Sequence, residues 1–190
     1  MDKVTILESS IHIMHSKGYN GTGVKELTDA SNIPKGSFYN YFKSKEEYGV
    51  EALWYYYDQL SSSSLMILTD HSIEPNERIV RFYEDNVEHF KNNGFVKGCF
   101  IGNMTEEMCD TSSDIASAAE EIHKNISRKI ELCLTEAKES NKREYLSDPD
   151  LLADFIVNSW QGALVRMKSE KSGKALDVFM KILNKIVGES

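Results

Sequence analysis

The sequence predicts an all-α chain of about nine helices, and three observations carry that prediction. Apolar residues recur three and four positions apart through most of the 190 residues. No alternation of Val, Ile and Thr bounded by turn signals occurs, so no strand is expected. All three prolines stand where a helix begins: Pro34 after Asn32 and Ile33, Pro75 after Ser72, and Pro149 after Asp148. Proline is tolerated in the first turn of a helix, and glycine is favoured just beyond its end.

The first helix is expected over residues 3–17, with Val4, Leu7, Ile11 and Met14 on one face and Gly18 ending it. A short helix over 24–31 turns Val24, Leu27 and Ala30 inward, and another covers Lys35 to Tyr41. A long helix starts near Ser44, where the Ser44-Lys45-Glu46-Glu47 spacing makes a capping box, and runs to about Leu68, absorbing Ser61 to Ser64. Residues 75–92 carry Ile79, Phe82 or Tyr83, Val87 and Phe90, and residues 98–109 hold Phe100, Ile101, Met104 and Met108. From Ser112 to Glu139 the series Ile115, Ala119, Ile122, Ile126, Ile130 and Leu134 keeps helical spacing. The last two helices, about 149–168 and 173–187, are the most apolar. Breaks are expected at Lys91 to Lys97, at Asp110 to Ser113 and at Ser140 to Ser147.

Composition narrows the function classes. The chain has 22 Lys plus Arg against 30 Asp plus Glu, a formal net charge of −8. That argues against a general polyanion binder, because nucleic acid attracts protein mainly through Lys and Arg neutralising phosphates. An apolar content of 41% supports a real core, in one large domain or in a small one joined to a medium one. The longest uncharged stretches, Gln59 to Thr69 and Phe155 to Val165, fall short of the roughly 18 residues a bilayer span needs, so no membrane partner is expected. Glu8 stands where the apolar segment of a signal peptide would run. Cys99, Cys109 and Cys133, an odd set without paired spacing, read as free thiols in a reducing cytoplasm. His12 and His15 lie three apart, but no Cys or carboxylate set of ligand spacing accompanies them, so neither metal nor cofactor is expected.

Residues 22–45 carry the chemistry. Two short helices joined by a turn of three or four residues form a helix-turn-helix, whose second helix enters the DNA major groove. Ile33, Phe38 and Phe42 would pack on Val24 and Leu27, leaving Lys35, Ser37, Tyr39 and Asn40 facing out. Gly36 leaves no side chain to hold the helix start away from a phosphate. Lys25, Lys35, Lys43 and Lys45 supply charge, and Tyr39 and Tyr41 carry hydroxyls for phosphate oxygens. An ordinary helical hairpin with core aromatics has the same periodicity, and spacing alone leaves both readings open.

The residue string resembles the DNA-binding domain of the TetR family of bacterial transcriptional regulators over about residues 3–53. The resemblance rests on Gly18-Tyr19, on Thr22-Gly23-Val24-Lys25-Glu26-Leu27, and on Lys35 through Glu46, which reads Lys-Gly-Ser-Phe-Tyr-Asn-Tyr-Phe-Lys-Ser-Lys-Glu. It implies phosphate contacts from Thr22, Lys25, Tyr39 and Lys45, and recognition-helix contacts from Lys35, Gly36, Ser37 and Asn40. Gly23 replaces a common Ser or Thr, which implies the loss of one phosphate contact; Thr28 replaces a small Ala, which implies looser packing of the first two helices.

A single head of this size contacts few bases, so a homodimer on a palindromic operator with half-sites about 34 Å apart is expected. Phe155, Trp160, Ala163 and Leu164 on one late helix, with Val178, Phe179, Ile182 and Ile186 on the next, are the expected dimer interface, which also resembles the family's four-helix arrangement. Helices that simply close the core would show the same apolar pattern. Lys97-Gly98-Cys99-Phe100-Ile101-Gly102-Asn103-Met104 resembles a segment beside the ligand cavity in an electrophile-responsive subgroup of the family. Cys99 is therefore the candidate sensor for a small-molecule effector, against the plain reading of a buried, inert thiol. Tyr83, Phe90, Asn103, Met104, His123 and Trp160 are the other candidate cavity residues, each also consistent with core packing.

The function expected is a ligand-responsive transcriptional repressor, not an enzyme, in the cytoplasm. Residues 1–47 form the DNA-binding domain and 48–190 the effector-binding and dimerisation domain. Competing classes are a thiol-dependent enzyme using Cys99, alone or with His123, and a helical adaptor without DNA affinity. No Gly-x-Ser-x-Gly, phosphate loop or dinucleotide fingerprint supports the enzyme. Charge is distributed as the repressor requires: residues 1–45 hold six Lys and no Arg against Asp2, Glu8, Glu26 and Asp29, a balance of +2, and the remainder carries −10.

Overall fold

A computed structural model describes residues 2–141 and 148–187. Among these residues there are eight α-helices and two 3-10 helices and no strand. The α-helices are α1 (Lys3–Lys17), α2 (Val24–Ala30), α3 (Lys45–Ser61), α4 (Pro75–Asn92), α5 (Phe100–Met108), α6 (Ser113–Asn141), α7 (Pro149–Glu170) and α8 (Lys174–Ile186). The 3-10 helices are Lys35–Asn40 and Ser64–Thr69.

The helix ends follow their local chemistry. Asp2 caps α1 by accepting the Thr5 N–H at 2.9 Å, and Gly18 closes it at a φ of 79°, a conformation that suits glycine. The Ser44 Oγ accepts the Glu47 N–H at 3.0 Å, but the Glu47 carboxylate reaches back to the Lys43 N–H at 2.7 Å, one residue before the reciprocal partner of a capping box. Pro75 and Pro149 occupy first-turn positions.

Three expectations are corrected. The helix from Ser44 does not reach Leu68: α3 ends at Ser61, and the serines lead into the second 3-10 helix. Consecutive Ser hydroxyls compete for backbone groups and weaken a helix. The segment Lys35–Asn40 is 3-10 rather than α-helical. On α1 the buried positions are Ile6, Leu7, Ser10 and Met14, while Val4 is exposed. Ser10 can lie inward because its hydroxyl donates to the Ile6 carbonyl and pairs with the Tyr48 hydroxyl at 2.7 Å. The break expected at Ser140 to Ser147 falls largely outside the described residues.

The chain divides into two compact units, Met1–Gln59 with Cys99–Ile122 and Leu60–Gly98 with His123–Ser190. In the first, Ile6, Leu7, Met14, Leu27, Phe38, Phe42, Tyr48, Leu53, Ile101 and Met104 are buried. Gly49 on α3 is part of that packing: a Cβ there would stand 3.1 Å from the Tyr19 ring and 3.3 Å from the Met104 methyl. In the second, Leu65, Leu68, Ile79, Tyr83, Ile130, Leu134, Ile156 and Leu176 are buried. Buried Arg78 donates to the Ile73 carbonyl and to Glu136, each at 2.7 Å, so its charge has a partner. Cys133 donates its thiol to the Leu68 carbonyl, and burial pushes that thiol up to about 11. Among the described residues no helix is long and apolar enough to cross a membrane.

Candidate nucleic-acid interface

The surface of residues 35–40 is set by what lies beneath it. Phe38 and Phe42 are fully buried, with ring centroids 5.2 Å apart, and both rest on Tyr48 of α3 at 5.9 and 5.1 Å. Burial pushes the Tyr48 hydroxyl up to about 12, so it stays neutral. With that side anchored, Lys35, Gly36, Tyr39 and Asn40 face solvent and Ser37 is half-buried. Tyr39 is 56% exposed, unusual for an aromatic residue beside a packed core, and nothing stands within 4 Å of where a Gly36 Cβ would be.

Not every candidate contact reaches this surface. Lys25 is exposed and forms an ion pair with Asp29 at 2.6 Å, which solvent keeps weak. Thr22 is buried, and its hydroxyl donates to the Gly18 carbonyl at 2.7 Å, so the side chain holds the α1–α2 loop instead of reaching out to a phosphate. Lys45 is also turned inward. Its ammonium donates to the Tyr19 carbonyl at 2.6 Å and lies 4.2 Å from the Tyr19 ring centroid, and desolvation holds its pKa below the usual lysine value.

The two departures from the family string are both accommodated. Gly23 is the N-cap of α2, and its N–H is accepted by Glu26 at 3.0 Å; that bond, then the Lys17 ammonium, holds the Glu26 carboxyl below its ordinary value. Thr28 is buried with its hydroxyl donated to the Lys25 carbonyl at 2.9 Å.

The candidate cavity residues divide between the two units. In the second, Tyr83, Phe90 and Trp160 come together, with ring centroids 5.0 Å apart for Tyr83 and Trp160 and 6.2 Å for Phe90 and Trp160. Phe179 joins them at 4.8 Å from Tyr83, and all four are buried. His123, half-buried in the same unit, has its Nε2 buried without a hydrogen-bond partner among the described residues, and burial lowers its pKa. Cys99, Asn103 and Met104 belong to the first unit. Cys99 is the half-buried N-cap of α5, and its carbonyl accepts the Asn103 N–H at 3.0 Å. Tyr56, which periodicity gave no reason to select, stands beside it; the Tyr56 ring lies 5.4 Å from Phe100, and burial raises its pKa.

Helices α7 and α8 form an open apolar groove of about 370 Å³. Of the expected interface residues, Phe155, Ala163, Val178, Phe179, Ile182 and Ile186 line it, and Phe155, Val178 and Ile182 are about half exposed. Trp160 and Leu164 do not line it. Both are buried, Trp160 against Tyr83 and Phe90. Arg166 also lines the groove, paired with Glu170 at 2.5 Å.

Comparison with known proteins agrees with this architecture. Residues 6–47 match the family model described as bacterial regulatory proteins, tetR family, and residues 75–183 match the tetracyclin repressor-like C-terminal domain. The chain is 32% identical to the HTH-type transcriptional repressor DhaR of Mycobacterium sp. (strain GP1), over 94% of this chain and 88% of that protein. It is 30% identical to the transcriptional regulator AcuR of Cereibacter sphaeroides, over 87% and 76% of the two chains. The crystal structure of the reduced form of E. coli NemR superposes with a TM-score of 0.86 at 25% identity, over 97% of this chain and 96% of that one.

Proposed function

The chain belongs to the TetR family of bacterial transcriptional regulators, and from that premise we propose how it works: as a repressor that binds a palindromic operator as a homodimer and is released by a small-molecule effector. The observation that carries this is the 35–40 segment, fixed from below by Phe38 and Phe42 and presenting Lys35, Tyr39 and Asn40 to solvent with Ser37 half-buried among them. Residues 1–47 act as the DNA-binding domain and 48–190 as the effector-binding and dimerisation domain. Within the former, Lys25 and Tyr39 serve phosphates, and Lys35, Ser37 and Asn40 read base edges, Gly36 allowing close approach.

The α7–α8 groove is the dimer surface, because exposed Phe155, Val178 and Ile182 are covered when a second copy packs its own α7 and α8 there. Cys99 is the effector contact. The protein works in the cytoplasm and is not an enzyme; the relatives it matches along most of its length are transcriptional regulators. An effector releases DNA only through different affinities for the two states, a coupling of about 1–3 kcal/mol.

An electrophoretic shift with DNA upstream of the protein's own gene tests the reading. A salt-sensitive complex that unrelated duplex cannot displace is the expected result. Equal competition by a scrambled duplex would overturn it.

A further inference from the structure

The α1–α2 loop is held from far along the chain. Glu107, in the last turn of α5, accepts the Asn20 N–H on its Oε2 at 2.9 Å, across 87 residues of sequence. Gly18 is what admits it: the carboxylate occupies the space beside Gly18, where any Cβ would collide with it. On the same loop Lys45 binds the Tyr19 carbonyl and ring, with the Glu107 charge close enough to favour its ammonium. Beyond the end of α5, Ser112 donates to the Glu46 carboxylate at the start of α3 and accepts the Ile115 N–H at 3.2 Å.

We infer that Glu107 is a positioning residue for DNA recognition: it fixes the α1–α2 loop, and thereby the entry of the helix-turn-helix, without belonging to the DNA-facing surface. The inference rests on the DNA-binding reading above. A surface ion pair would contribute little. Here the carboxylate accepts a backbone N–H at the exposed loop and stands near the partly buried Lys45, and a bond to a charged acceptor is stronger and more directional than a neutral one. The loop joins α1 to α2, the first helix of the motif, so a shift in it moves the whole reading head. Specific binding needs that head in register, whereas non-specific binding needs only its charge.

The test compares wild type with E107A and E107Q, using an operator fragment selected by the wild-type protein from random duplex and a scrambled duplex as the non-specific probe. E107A is expected to weaken operator binding about fivefold or more, on the scale of typical site-to-site couplings, with scrambled-duplex affinity unchanged. E107Q keeps an acceptor for the Asn20 N–H and is expected to recover much of the loss. Hydrogen exchange without DNA should show the Asn20 amide released in E107A while amides of α4 and α7 keep their protection. Operator affinity unchanged in E107A overturns the inference alone. So does an equal loss on both duplexes, or a loss accompanied by faster exchange throughout the chain. A wild-type protein that selects no sequence overturns the DNA-binding reading and this inference with it.

Discussion

Lys45 lies 4.2 Å from the centroid of the Tyr19 ring and donates its ammonium to the Tyr19 carbonyl. Sequence resemblance implies a phosphate contact at this position; the structure gives the side chain an internal partner. The lysine therefore belongs to the framework of the reading head. Replacing it with Met keeps much of the stem and removes the charge. K45M is expected to lower stability by about 1–2 kcal/mol, a cation–π contact and one charge-assisted hydrogen bond discounted for partial exposure. Urea midpoints read this directly. A midpoint equal to wild type with a shallower salt dependence of DNA binding would return Lys45 to the phosphate role.

Tyr39 and Asn40 are adjacent and exposed, but separate by chemistry. Tyr39→Phe removes one hydroxyl suited to a phosphate oxygen and should weaken binding to all sequences alike. Asn40→Ala removes a group able to pair with a base edge and should relax discrimination at one position by about 1–3 kcal/mol. Titrations on operator and on single-base variants separate the two effects.

The α7–α8 groove and the buried side of α7 should respond differently to substitution. Ile182→Arg and Phe155→Arg put charge into the half-exposed groove and are expected to yield folded monomers that no longer bind the palindrome. Trp160→Ala empties a buried site beside Tyr83, Phe90 and Phe179 and should cost about 3–5 kcal/mol of stability. Sedimentation and thermal unfolding on the same preparations distinguish assembly from folding.

His123 links stability to pH. Burial holds its pKa below the ordinary value of 6.5, so the folded protein resists the proton that the unfolded chain accepts. Where the unfolded state binds more protons, stability rises with pH. Acidification from 6.5 downward should therefore destabilise the protein until the lowered pKa is passed. His123→Leu should flatten that part of the curve, and urea midpoints between about pH 7.5 and 5 measure it. An identical slope in the variant would exclude His123 as the source.

Much of this fold was legible because helix formation is local. Pro75 and Pro149 marked helix starts, Gly18 marked an end, and apolar spacing placed α4 to α8 within a few residues. The reading head was legible for the same reason: Phe38 and Phe42 alternate with polar neighbours inside a short segment. The break after Ser61 and the 3-10 form of Lys35–Asn40 were less so, since four serines and one short turn weight competing helical geometries only slightly.

The sequence by itself determined an all-helical chain, a basic head on an acidic remainder, and which residues can face DNA or a second copy. Tertiary structure decided which of them are turned to the surface and which are tied inward. Thr22 and Lys45 became internal ties because the Gly18 and Tyr19 carbonyls needed donors. Trp160 and Leu164 turned inward, Trp160 against the buried rings of Tyr83, Phe90 and Phe179. Glu107 acquired its place from a contact spanning 87 residues. Periodicity fixes which face of a helix a side chain occupies; what meets that face depends on chain segments remote in sequence, and no local pattern records it.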